Sequence, residues 1–206
     1  MKRKFIILIA IIHTINSTYG QDVADVLIPT GLAALSFVAA DADKKEVAKE
    51  ISQFRSKEYI VKYIIGPAND KEIKFETESL ASDNSAGLIS VAFNCDEVKE
   101  KGLLLAFFGQ NRNEYGVVQT AYGFRYIPLE KAKKILNRID DVKEKNKKYM
   151  ASENDVNNVY IEFEDIQFII YRDGGAKVRT LWNGFEVVWE RVAFDRTKRR
   201  LERWFE

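Results

Sequence analysis

Ala176-Lys177-Val178-Arg179-Thr180-Leu181-Trp182-Asn183-Gly184-Phe185-Glu186-Val187-Val188-Trp189-Glu190 is the stretch that decides the fold. Asn-Gly between two runs of β-branched and aromatic residues is the strongest short-range hairpin signal, because both turn positions need positive φ. A two-residue turn pairs Trp182 with Phe185, Thr180 with Val187 and Val178 with Trp189. All six then share one face, and Lys177 stands opposite Glu190 on the other, an opposite-charge pair. The turn alone fixes the register, and that register also sorts the apolar side chains.

Working outward, Asp173-Gly174-Gly175 marks another tight turn. An even connection there places Ile169 and Tyr171 on the Trp182 face and Ile166, Phe168 and Ile170 on the opposite one. Upstream, Val159, Ile161 and Phe163 occupy odd positions and Ile166, Phe168 and Ile170 even ones. A continuous strand cannot switch faces, so a tight turn or bulge is expected at Glu164-Asp165. Four strands therefore fill the C-terminal third. Asp195 then opens a short helix with Leu201, Trp204 and Phe205 on one side.

The same reading applies further upstream. Pro128 begins a helix whose Ala132, Ile135, Leu136, Ile139 and Val142 form an apolar stripe. Residues 43–56 form a helix with Val47, Ile51 and Phe54 on one face. Between these helices we read strands at Glu58–Ile65, Lys71–Ser79, Leu88–Asn94, Leu103–Phe108 and Val117–Ile127, with a turn-rich loop over Leu80–Gly87. The expected class is α+β: a mainly antiparallel sheet of about eight or nine strands with three helices, in the order α-βββββ-α-ββββ-α.

Residues 1–20 read as a cleavable secretory signal. Lys2, Arg3 and Lys4 precede the apolar run Phe5–Ile12, and small or polar residues lead to Gly20. That run is far short of the ~20 residues of a membrane-spanning helix. Cleavage after Gly20 leaves a single α+β domain over 21–206, although Val38-Ala39-Ala40 is also an acceptable exit. Val26–Ala40 carries no charge, but it contains Pro29 and Gly31 and is too short to span, so it reads as a buried first element. The expected location is outside the cytoplasm, periplasmic or secreted, with no integral span in the mature chain.

Composition excludes several chemistries. The one histidine, His13, lies in the leader, and the one cysteine is Cys95. Ser-His-Asp and Cys-His sites need imidazole, and zinc sites need His and Cys clusters. No metal or cofactor is expected. Cys95 is expected to be a buried thiol. The chain has 32 Lys+Arg against 31 Asp+Glu, and loss of the leader makes it slightly acidic. Nucleic acid is therefore not an expected partner.

Three candidate features remain. The loop from Gly109 to Gly116 holds Gln110, Asn111, Arg112, Asn113 and Tyr115, hydrogen-bonding groups able to clasp a small polar ligand or a partner protein. Glu162 and Glu164 alternate on a strand and so point the same way, as an acid/base or nucleophile pair would. Arg196, Lys198, Arg199, Arg200 and Arg203 make the last helix basic, with Glu202 and Glu206 diluting it. The function expected from these features is a non-enzymatic exported binding domain, partner-binding or inhibitor-like. The alternatives are a glycan-directed hydrolase using Glu162 and Glu164, and an envelope-associated protein that touches lipid through residues 26–40 or the basic helix.

Overall fold

The computed structural model describes residues 26–29, 41–83, 87–112, 115–151 and 156–206. The secretory signal expected at residues 1–20 falls outside the described residues, as does most of Val26–Ala40.

Two antiparallel four-stranded meanders form the frame. The first comprises β2 (Glu76–Asp83), β3 (Leu88–Cys95), β4 (Glu100–Arg112) and β5 (Val118–Pro128). A short β1 (Val26–Pro29) pairs along β5. The second comprises β6 (Val159–Phe163), β7 (Ile166–Arg172), β8 (Ala176–Trp182) and β9 (Phe185–Trp189). Helix α1 (residues 41–65) precedes the first meander, α2 (Leu129–Lys145) joins the two, and α3 (Arg191–Trp204) closes the chain. The class is α+β, in the order α-ββββ-α-ββββ-α apart from β1.

The last hairpin has the register read from its turn: Val178 faces Trp189, Thr180 faces Val187 and Trp182 faces Phe185. All six are buried, and Lys177 lies 3.5 Å from Glu190. Glu164-Asp165 is a tight turn that pairs Phe163 with Ile166, with Glu164 at φ 54°.

Several expectations change. The strand read at Lys71–Ser79 begins only at Glu76, and Phe54, read on one face with Val47 and Ile51, is exposed. Glu58–Ile65 is helix rather than strand. Helix α1 runs from Asp41–Glu50 through a π segment Ile51–Arg55, an α turn Ser56–Tyr59 and a second π segment Ile60–Ile65. Its apolar residues Ala48, Ile51, Tyr59 and Ile60 pack on the first meander, and this burial outweighs the strand preference of a β-branched run. Gly66, at φ 77°, ends the helix by donating its N–H to the Val61 carbonyl.

Asp173-Gly174-Gly175 is a three-residue connection, because Arg172 pairs with Ala176. Gly174 and Gly175 both take positive φ, 61° and 156°. The odd count puts Ile166, Phe168 and Ile170 on the Trp182 face, and Ile169 and Tyr171 on the other. Leu80–Gly87 is not all loop, since β2 continues to Asp83 through a bulge between Ser79 and Ala81. Helix α3 begins at Arg191, ahead of Asp195. Finally, α2 begins at Leu129, with Pro128 as its cap.

Both faces of the first meander are covered. Ile89, Val91, Phe93, Leu104, Ala106, Phe124 and Tyr126 face α1, joined by Cys95. Leu88, Ala92, Leu103, Leu105, Phe107 and Ile127 face α2, α3 and the second meander. This is why Leu103–Phe108 reads as an unbroken apolar run. Ser90 and Thr197, 2.6 Å apart, carry a buried hydrogen bond from β3 to α3.

Candidate functional site

β4 is longer than its partner on one side. The β3–β4 register ends with Leu88 against Phe107. Beyond it Gly109 takes φ 120°, and Asn111 pairs instead with Phe185 of β9. The two meanders are thus joined where β4 outruns β3.

The join is tightly fitted. Asn183 and Gly184 form the β8–β9 turn with φ 44° and 78°. Arg112 N–H donates to the Gly184 carbonyl at 3.0 Å, and Asn111 Nδ2 donates to the Asn183 carbonyl at 2.7 Å. A Cβ at Gly184 would stand 2.3 Å from the Arg112 carbonyl oxygen, so only glycine fits there. Behind the turn, Trp182 lies 4.8 Å from Phe107, centroid to centroid. A Cβ at Gly123 would meet the Trp182 ring at 2.9 Å.

An open concavity of about 650 Å³ lies over this join. Gln110, Asn111 and Arg112 line one side, Gln167, Asp165 and Glu186 the other, and Trp182 and Phe185 contribute apolar wall. Its charges are unequally satisfied. Asp165 accepts from Arg125 Nε at 2.9 Å and from Trp182 Nε1 at 2.7 Å. Glu186 pairs with Arg179 at 3.1 Å. Arg112 is exposed, and among the described residues no carboxylate lies within ion-pair distance of it. Asn111 is 1% exposed, and among the described residues its Oδ1 has no hydrogen-bond partner. The Arg112 guanidinium and the Gln110 and Gln167 amides stand as donors beside an aromatic wall, which suits binding of a polar, acidic group, while Asn111 Oδ1 can only accept a hydrogen bond.

Of the residues singled out in the sequence, Gln110, Asn111 and Arg112 come together here, as strand rather than loop. Tyr115 is 82% exposed at the hairpin tip and does not line the concavity. Asn113 lies outside the described residues. Glu162 and Glu164 do not share a strand face. Glu162 is on the outward side of β6 with Tyr160 Oη donating to it at 3.2 Å, while Glu164 is in the turn, bridged to Arg125 and Lys131. Neither lines the concavity. In the basic helix, Lys198 is bound to Asp140 at 2.6 Å, and Arg200 donates to the Ser79 and Leu80 carbonyls.

Sequence reading missed Asp165, Gln167, Trp182 and Glu186. The Asn183-Gly184 turn was legible, but nothing in its sequence says that it docks on β4. Among the described residues no cluster of three His, Cys, Asp or Glu is placed to hold a metal ion, and no helix is long and apolar enough to cross a membrane.

Compared with protein families, curated proteins and solved structures, the chain matches none.

Proposed function

We propose that this chain is an exported, non-enzymatic binding domain whose partner, a protein or a small polar ligand, presents an acidic group to Arg112 in the concavity between the meanders. The observation that carries the reading is Arg112 itself: a guanidinium without an ion-pair partner among the described residues, on the rim of a concavity whose carboxylates are already engaged. The leader at residues 1–20 supports export. The hydrolase alternative loses support because Glu162 and Glu164 lie outside the concavity and Glu164 is held by two cations.

A thermal-shift screen of the chain with small carboxylates, acidic peptides and neutral sugars tests this. Binding raises Tm by mass action. Anionic compounds are expected to raise it, and the rise is expected to vanish in R112Q, whose fold does not depend on that exposed side chain. Stabilisation by neutral sugars alone, unchanged in R112Q, would overturn the reading.

A further inference from the structure

The two meanders treat their outer edges differently. At β2 the edge is blunted by the bulge between Ser79 and Ala81, and Arg200 of α3 covers the Ser79 and Leu80 carbonyls. Such devices keep an edge from pairing. Among the described residues the β6 edge has neither. It is Val159-Tyr160-Ile161-Glu162-Phe163, with no Pro, Lys or bulge, and among the described residues no strand pairs with its outer side.

Which backbone groups are open follows from the turn. Phe163 and Ile166 flank a two-residue loop and so form a hydrogen-bonded pair; alternation then assigns Ile161 and Val159 to bonds with β7. The N–H and C=O groups of Tyr160 and Glu162 point away from the sheet. The inward side chains are also incompletely covered. On β7, Ile166, Phe168 and Ile170 are at most 1% exposed, whereas Val159, Ile161 and Phe163 beside them are only partly buried.

We propose that β6 pairs antiparallel with β6 of a second copy of this chain, about a two-fold axis at Ile161. In that register the open groups of Tyr160 meet those of Glu162 in the second copy, twice by symmetry. On the inner face Ile161 meets its equivalent and Val159 meets Phe163, so the half-covered apolar row is closed. On the outer face the Tyr160 hydroxyl stands opposite a carboxylate. Shifting the register by one step toward the turn sets Glu162 against its equivalent, a like-charge pair that is disfavoured. The opposite shift sets Phe163 against Asn157 and leaves its ring uncovered. The strand is thus self-complementary in one register. A five-residue edge is a small interface, of the weak, concentration-dependent class.

Sedimentation equilibrium of the full chain, from micromolar to millimolar, tests the proposal. Tyr160 is 55% exposed on the outer face, so substitutions there leave the fold intact, as circular dichroism will verify. A monomer–dimer equilibrium is expected for the wild type. Y160E opposes two pairs of like charges and should weaken the dimer about tenfold. Y160K, which faces Glu162 of the second copy, should tighten it, and Y160E/E162K should restore it. A monomer at every concentration overturns the proposal, as does a dimer indifferent to Y160E and Y160K.

Discussion

Trp182 Nε1 donates to Asp165 Oδ2 at 2.7 Å, tying the β8 strand to the turn that precedes β7. The same carboxylate accepts from Arg125 Nε on β5, so one side chain connects both meanders beneath the concavity. Arg125 is largely covered, at 13% side-chain exposure, which strengthens its pairing relative to a surface ion pair.

Replacing Asp165 should therefore be felt across the join. D165A removes one acceptor from two donors at once, and a cost of about 1–2 kcal/mol is expected. E162A, on the exposed outer face of β6, should stay within about 0.5 kcal/mol. Urea unfolding of the two variants checks the contrast; equal costs would show that Asp165 carries no connection.

Thr180 is fully buried, and among the described residues its hydroxyl has no hydrogen-bond partner. It sits between Phe168 and Val187 on the inner face of β8. An unpaired buried hydroxyl is a cost that an isosteric methyl group removes. T180V should raise stability by about 1 kcal/mol, read as a higher urea midpoint with unchanged slope. A lower midpoint would mean that the hydroxyl makes a bond in solution.

Acid should loosen the contact between α2 and α3. Burial alone would raise the Asp140 carboxyl, but hydrogen bonds from Lys198 and Lys143 outweigh it and hold the group below its ordinary value. A lowered folded pKa contributes stability at pH above the unfolded value, and that stability is lost as pH falls through the folded one. D140N should cost about 1 kcal/mol at neutral pH. The gap to the wild type should close as pH falls below about 4, the unfolded carboxyl value. A gap that persists at pH 2 would show that Asp140 acts by shape rather than charge.

What could be read from sequence follows how local each determinant is. The β8–β9 register was legible because Asn183-Gly184 fixes its own turn geometry, and the parity of Val178, Thr180 and Trp182 then agrees with it. At Asp173-Gly174-Gly175 the same argument failed: two consecutive glycines allow either loop length, and one extra residue inverts every side chain of β7. Glu58–Ile65 misled for another reason. Its β-branched residues satisfy strand preference, yet Ile51, Tyr59 and Ile60 are buried as helix against Phe93 and Phe124, a tertiary choice. The stop at Gly66-Pro67 was present and marks the true end of the helix. One side of the site was visible as a polar segment at Gln110–Arg112. The rest comes from the β6–β7 turn and from β7, β8 and β9, close to β4 in the sheet but far along the chain, and no local pattern in Gln167 or Trp182 announces that meeting.

The most direct measurement is a map of backbone amide chemical shifts as an anionic compound that raises Tm is titrated into the isotope-labelled chain. If the concavity is the binding surface, the shifts will cluster at Gln110, Arg112, Gln167 and Asn183 and disappear in R112Q. Shifts confined to the outer face of β6 or to the basic residues of α3, and retained in R112Q, would contradict it.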